Sequence, residues 1–168
     1  MKKAGLFYSK KTVKTAEIAE QIYREFGDDA PELVNVDEAW KKDFESYSFI
    51  IAGTSTWFDG ELPDYWDELV PEIKSLNLKG KKAAIFGLGN QEEYPDNFVD
   101  GIELLADAFR TAGATITGFT SAEGYKYNKS LAETNGQFSG LVIDVETQPE
   151  LTDTRIKSWV EELKKEFS

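Results

Sequence analysis

Short apolar runs alternate with longer amphipathic stretches along this chain, and the two periodicities separate strands from helices. Lys3 to Tyr8 is a short apolar run that ends at Ser9. From Ala16 to Phe26, the residues Ile18, Ala19, Ile22, Tyr23 and Phe26 recur at helical spacing, and Gly27 supplies the stop. Leu33 to Val36 is a short strand and Ser48 to Gly53 a stronger one. Pro63 to Lys74 predicts a helix with Trp66, Leu69, Val70 and Ile73 on one face. Lys82 to Gly87 is a continuous apolar strand. Phe98 to Ala112 predicts a helix with Ile102, Leu105, Ala106 and Phe109 inward and Gly113 as its cap. Ala114 to Phe119 is a strand that Gly140 to Ile143 resumes. Thr152 to Arg155 opens a last helix, with Ile156, Trp159, Val160 and Leu163 on its apolar side.

Strands that read as unbroken apolar runs, with helices between them, imply a parallel sheet covered on both faces. Right-handed crossovers then build an α/β, doubly wound, three-layer sandwich. Five parallel strands over this length suit the order 2-1-3-4-5, in which a ligand binds outside the carboxyl ends of strands one, three and four. The loops after Tyr8, Gly53 and Gly87 are therefore where chemistry is expected.

Composition narrows that chemistry. The chain has 168 residues, 40% of them hydrophobic, which suits one domain with a real core over residues 1–168. No stretch reaches the roughly 18 apolar residues of a membrane helix, and the first apolar run is too short for a signal peptide, so the default location is the cytoplasm. Cysteine and histidine are both absent. That removes disulfides, thiolate metal sites, the cysteine nucleophile and the usual general base near neutral pH. A net charge of -12 disfavours nucleic acid and anionic membranes and favours partners with a basic patch.

The first loop, Ser9-Lys10-Lys11-Thr12-Val13-Lys14-Thr15, follows a strand and opens a helix. Helix-start N–H groups, hydroxyls and lysines bind phosphate, although a capped helix with solvated lysines shows the same pattern. The second loop, Thr54 to Pro63, carries Trp57 and Phe58 where turns usually carry small polar residues. Such aromatics either anchor the loop on the core or present a flat face to a ligand. The third loop, Gly87 to Asn97, combines Gly87 and Gly89 with the aromatic Tyr94. A phosphate cradle and two aromatic faces at one switch point suit a nucleotide with a flat ring.

Over nearly its whole length the chain resembles the long-chain flavodoxins. Gly5-Leu6-Phe7-Tyr8 with Thr12-Val13-Lys14-Thr15 is similar to the family's first strand and phosphate loop. Thr56-Trp57 with Gly60-Glu61-Leu62 resembles its first flavin loop, and Phe86 to Gln91 with Tyr94 to Phe98 its second. Residues 120–139, with Glu123-Gly124-Tyr125 and Asn135-Gly136-Gln137-Phe138, match the insertion that splits the last strand. The resemblance implies bound FMN (flavin mononucleotide) and one-electron transfer in place of ferredoxin, by a carrier rather than an enzyme. It implies cofactor contacts from Ser9, Lys10, Lys11, Thr12, Val13, Lys14 and Thr15, from Ser55, Thr56, Trp57, Phe58, Asp59 and Gly60, from Gly89, Asn90, Tyr94, Asn97 and Phe98, and from Glu146. Trp57 and Tyr94 are expected to sandwich the ring, with Asn90 offering backbone contacts to its pyrimidine edge. No catalytic residue and no metal are expected.

Two residues depart from the family pattern. Val13 stands where glycine is usual, which costs little if Val13 is simply the first helical residue after a Thr12 cap. Asn90 stands where aspartate is frequent. The acids Asp59, Glu61, Asp64, Glu92, Glu93 and Asp96 fall in or beside the flavin loops. One carboxylate about 10 Å from a reduced, anionic flavin opposes its charge by roughly 1.7 kcal/mol, about 70 mV. A low-potential carrier is expected, steered as a monomer to basic patches on ferredoxin/flavodoxin-NADP reductase, photosystem I, nitrogenase or pyruvate-oxidising enzymes. The alternatives are an FMN-dependent reductase on the same fold and a variant whose FMN binding is weakened by Val13.

Overall fold

The computed structural model describes residues 2–57 and 59–167. The strands and helices in chain order are β1 (Lys2–Tyr8), α1 (Val13–Phe26), β2 (Glu32–Asn35), α2 (Lys41–Glu45), β3 (Tyr47–Ser55), α3 (Asp64–Asp67), α4 (Val70–Lys74) and β4 (Lys82–Leu88). They continue with α5 (Asp100–Thr111), β5 (Thr115–Thr117), β6 (Thr120–Ser121), β7 (Glu133–Thr134), β8 (Gln137–Phe138), β9 (Leu141–Ile143) and α6 (Thr152–Glu166). The sheet runs β2-β1-β3-β4-β5, with β9 also paired to β4 and every pairing parallel.

Alternation along the strands explains why both faces are covered. In β1, Leu6 and Tyr8 point into one core and Phe7 into the other; in β3, Ile51 and Ile50 divide in the same way. The apolar stripes of α1 and α6 close one face through Ile18, Ile22, Phe26, Ile156, Trp159, Val160 and Leu163. Phe44, Trp66, Ile73, Ile102, Leu105 and Phe109, from α2 to α5, close the other. No helix among the described residues is long and apolar enough to cross a membrane.

The fifth position of the sheet is shared by two short strands. Thr115 to Thr117 pair with Lys82 to Ala84, and Leu141 to Ile143 pair with Phe86 to Leu88. Between them β6, β8 and β7 form a small antiparallel sheet. The β7–β8 turn is Asn135-Gly136, both at positive φ (52° and 81°), as a two-residue hairpin requires. Phe119, expected in the strand, lies outside it and is exposed.

Two helices differ from the reading of the sequence. The helix expected over Pro63 to Lys74 is two short ones, α3 and α4. Pro71 has no N–H to give Asp67 and its ring crowds that carbonyl, so the first helix stops there. The helix expected from Phe98 starts at Asp100, because Val99 is left-handed, with φ 48° and ψ 31°. That conformation is strained for a β-branched residue, and the burial of Val99 holds it.

Trp66 fixes the short α3 to the sheet. It is fully buried, and its indole N–H donates to the Gly53 carbonyl at 2.9 Å. Trp66→Phe keeps an aromatic ring but leaves that carbonyl without its partner and opens a void. A loss of about 2–3 kcal/mol is expected, read from the urea midpoint of the apoprotein.

Candidate functional site

The loops that follow β1, β3, β4 and β9 enclose one cavity of about 460 Å³ at the carboxyl edge of the sheet. That is within the usual range for a cofactor site. Its floor at one end is the start of α1. Thr12 is the N-cap residue, at φ −99° and ψ 95°, and Val13 is the first helical residue. Among the described residues only Val99 and Asn135 have positive φ without being glycine, so Val13 does not need the freedom a glycine would provide. The first turn leaves backbone N–H groups without intrahelical acceptors. Thr15 is fully buried, lines the cavity, and its Oγ1 has no hydrogen-bond partner. An orphaned donor beside a helix start, with Lys11 and Lys14 on the lining, is the chemistry of a phosphate pocket. The residues present fit FMN.

The rest of the first loop divides its roles. Ser9 is buried away from the cavity; its hydroxyl donates to both carboxylate oxygens of Asp37, at 2.8 and 2.9 Å, and accepts from Lys11 N. It braces the loop and does not line the pocket, contrary to the expectation of a cofactor contact. Lys10 is exposed and also off the lining. Lys14 is paired with Glu146 across the cavity. Lys11 and Val13 are on the lining, and Val13 is two-thirds exposed at 66%.

Ser55, Thr56 and Trp57 line the cavity from the second loop. Thr56 Oγ1 accepts from Gly101 N at 3.0 Å, which ties this loop to the start of α5. Trp57 and Glu61 exchange two backbone hydrogen bonds of 2.7 Å, closing a tight turn. Gly60 has φ 91° in that turn, and a Cβ there would lie 2.6 Å from Asp100 Oδ2, so glycine is required on both counts. Asp59 and Gly60 shape the turn and are not on the lining, and Phe58 lies outside the described residues.

Gly89, Asn90 and Tyr94 line the cavity from the third loop, with Tyr94 half exposed. The Asn90 side chain is turned into its own loop, accepting from Glu92 N and Glu93 N at 3.1 and 2.9 Å. Only its backbone is left to face a ligand. Asn97 donates to Asp100, and Phe98 is a core residue stacked on Tyr127 at 5.1 Å. Neither lines the cavity. An apolar ring two residues before a helix in the sheet-covering layer is drawn to the core, which corrects the expectation for Phe98.

Asp144 was not singled out from the sequence. It is fully buried and accepts from Gln91 N (3.0 Å), Gln91 Nε2 (2.9 Å), Glu146 N (3.1 Å), Thr147 N (2.9 Å) and Thr147 Oγ1 (2.6 Å). One carboxylate thus ties the third loop to the loop that presents Val145 and Glu146 to the cavity. An aspartate directly after an apolar strand, with a threonine three residues on, is the turn signal that marks it. Burial pushes the Asp144 carboxyl up, but the bonds from Gln91 and Thr147 outweigh burial and hold it below the ordinary carboxylate range.

A larger cavity of about 590 Å³ lies beyond Trp57. It carries Asp37, Asp64, Glu68 and Glu72 against Lys11 alone, a lining that repels phosphate. The smaller cavity is the one whose lining suits a phosphate.

Asp144→Asn turns an amide towards several donors and is expected to lower apoprotein stability by about 2 kcal/mol at neutral pH, measured by urea unfolding. Because the folded carboxyl is depressed, its contribution is present above about pH 4 and fades as the pH falls through the folded value. The difference between wild type and variant should shrink in that acid range.

The model of the flavodoxin family matches residues 6–159. The flavodoxin of Nostoc sp. (strain PCC 7120) is 44% identical over 166 residues, covering 99% of this chain and 98% of the relative. That of Klebsiella pneumoniae is 38% identical over 173 residues, covering 98% of each. Among solved structures, Fusobacterium nucleatum flavodoxin bound to flavin mononucleotide superposes with a TM-score of 0.93 at 35% identity, covering 100% of both chains. With near-complete coverage, this identity and the shared sheet order, the chain belongs to the flavodoxin family.

Proposed function

We infer that this chain holds one FMN in the 460 Å³ cavity and passes single electrons between redox enzymes. The observation that carries this reading is the meeting, in one cavity, of a helix start with the orphaned Thr15 hydroxyl and of the rings of Trp57 and Tyr94. The bound flavin supplies the redox chemistry. The protein supplies position and field. The first turn of α1, with Thr12 and Thr15, takes the phosphate, and Lys11 stands at its side. Trp57 and Tyr94 take the two faces of the ring. Gly89 and Asn90 offer backbone to its polar edge. A terminal phosphate enclosed in this way discriminates against FAD, whose phosphate is bridged.

The chain acts on its cofactor's energetics through charge. Asp59, Glu61, Asp64, Glu92, Glu93 and Asp96 are all exposed around the loops that make the site. With the net charge of -12, they oppose the addition of a further negative charge to the ring and lower the potential of the second electron. The same acids suit reductases and other enzymes that carry basic docking patches, in the class of ferredoxin/flavodoxin-NADP reductase, photosystem I, nitrogenase and pyruvate-oxidising enzymes. A single domain acting as a monomer in the cytoplasm completes the reading.

Trp57 is half-buried, with its ring at the wall between the two cavities. Trp57→Ala is expected to weaken oxidised FMN by about 1.4 kcal/mol or more, tenfold, while the apoprotein melts close to wild type. A flavin titration followed by absorbance, set beside an apoprotein melt, checks it; lost apo stability at unchanged affinity would make Trp57 a core anchor.

Electron exchange with a basic reductase should slow as salt rises from about 0.1 M to 1 M, where the Debye length falls from about 10 to 3 Å. Stopped-flow reduction across that range is the measurement. Neutralising Glu61 and Asp64 together should reproduce part of the effect at low salt. Rates insensitive to both would assign the acidic rim to solubility and potential alone.

A further inference from the structure

Tyr65 lines the larger cavity, on the far side of Thr12 and Trp57 from the smaller one, and has no part in the reading above. It is the second residue of α3, and its neighbour Trp66 is locked in the core by the bond to Gly53, so the backbone beneath Tyr65 is held. Its phenol oxygen lies 3.0 Å from Thr12 Oγ1. Its ring meets the Trp57 indole at right angles, with centroids 6.4 Å apart and planes at 88°. One side chain therefore touches both the cap of the phosphate loop and the ring that walls the flavin cavity.

Thr12 does not use its hydroxyl as an N-cap threonine ordinarily does. No side-chain bond runs from it to the first turn of α1. Its partner is Tyr65 instead. A hydroxyl that accepts one hydrogen bond still has its own proton to give. Burial raises the Tyr65 phenol above its ordinary value, so it is protonated and a donor at neutral pH. An anion beside Thr12 orders the two hydroxyls in one direction: Tyr65 O–H donates to Thr12 Oγ1, and Thr12 O–H donates towards the anion. Hydrogen bonds in such a chain polarise one another.

We propose that Tyr65 is a positioning residue for the cofactor's phosphate, holding and polarising Thr12 so that its O–H is directed into the flavin cavity. This rests on the FMN reading above and deepens it. The relay places an oriented donor next to Val13, at the point in the loop where the family pattern has glycine. The same phenol fixes where the Trp57 ring can stand, so the phosphate end and the ring end of the site are set by one side chain.

The test uses FMN and riboflavin, which share the ring system and differ by the phosphate. Wild type, Tyr65→Phe, Thr12→Ala and the double variant are titrated with each, and the melting temperature of each apoprotein is recorded. Tyr65→Phe keeps the ring against Trp57 and removes only the O–H. FMN affinity should fall roughly three- to tenfold, as for one hydrogen bond, with riboflavin affinity and apo melting unchanged. Thr12→Ala should weaken FMN at least as much, and adding Tyr65→Phe to it should cost nothing more, since the two act as one unit. Equal losses for FMN and riboflavin would reduce Tyr65 to a support for Trp57 and overturn the proposal. So would unchanged FMN affinity, or simple additivity in the double variant. If wild type prefers FMN to riboflavin and Tyr65→Phe keeps the full preference, the relay alone falls. If wild type takes both equally, the phosphate assignment falls and the relay with it.

Discussion

A parallel sheet covered on both faces has no side to offer water, and that constraint organises this molecule. Side chains of β1 and β3 go alternately to two separate cores, one closed by α1 and α6 and the other by α2 to α5. With the faces occupied, a ligand can approach only the sheet's ends. Right-handed crossovers send the connections after β1 and β3 to opposite faces of the sheet, and the gap this leaves at the carboxyl edge is the 460 Å³ cavity. The split fifth position preserves the arrangement. β5 and β9 pair with successive segments of β4, so a long insertion enters without breaking the sheet's edge.

The loops around the cavity are held from behind by buried polar side chains. Ser9 on Asp37 braces the phosphate loop against the end of β2. Thr56 on Gly101 N and Gly60 against Asp100 seat the Trp57 turn on the start of α5. Asp100 also accepts from Leu131 N at 2.8 Å, which brings the insertion into the same junction. Asp144 gathers the remaining two loops, and Gln91 Oε1 extends that network to Lys126 N at 2.6 Å. Each bond satisfies a buried group that would otherwise cost stability, so the second tier is costly to disturb. The residues that face the ligand are left to recognise it.

Charge is distributed with the same economy. An acidic chain carries Lys10, Lys11 and Lys14 around the start of α1, and Lys14 is partly neutralised by Glu146. Asp59, Glu61, Glu92, Glu93 and Asp96 are exposed and stay off the lining of the 460 Å³ cavity, so they do not oppose an anion there at contact. The second, acid-lined cavity behind Trp57 shows how different the site would be with those signs reversed.

Periodicity and composition alone determined the fold class and the three loops to inspect, because apolar spacing is a property of the chain itself; they suited the strand order, which the pairing of the folded strands decided. Thr12, Val13, Thr15, Trp57, Asn90 and Tyr94 stand out in the sequence by their place in those loops, and the structure gathers them around one cavity. The break between α3 and α4 is also written in the sequence, at Pro71, which has no N–H to continue a helix. What only the tertiary structure decided is which way each side chain turns. Ser9 serves Asp37, Phe98 joins the core, Asn90 caps its own loop, and Thr12 bonds Tyr65 from 53 residues away. Asp144 shows a local turn pattern with Thr147, but its bonds to Gln91, like the contact of Tyr65 with Thr12, join residues brought together only by folding, and no local pattern records a partner that distant in the chain.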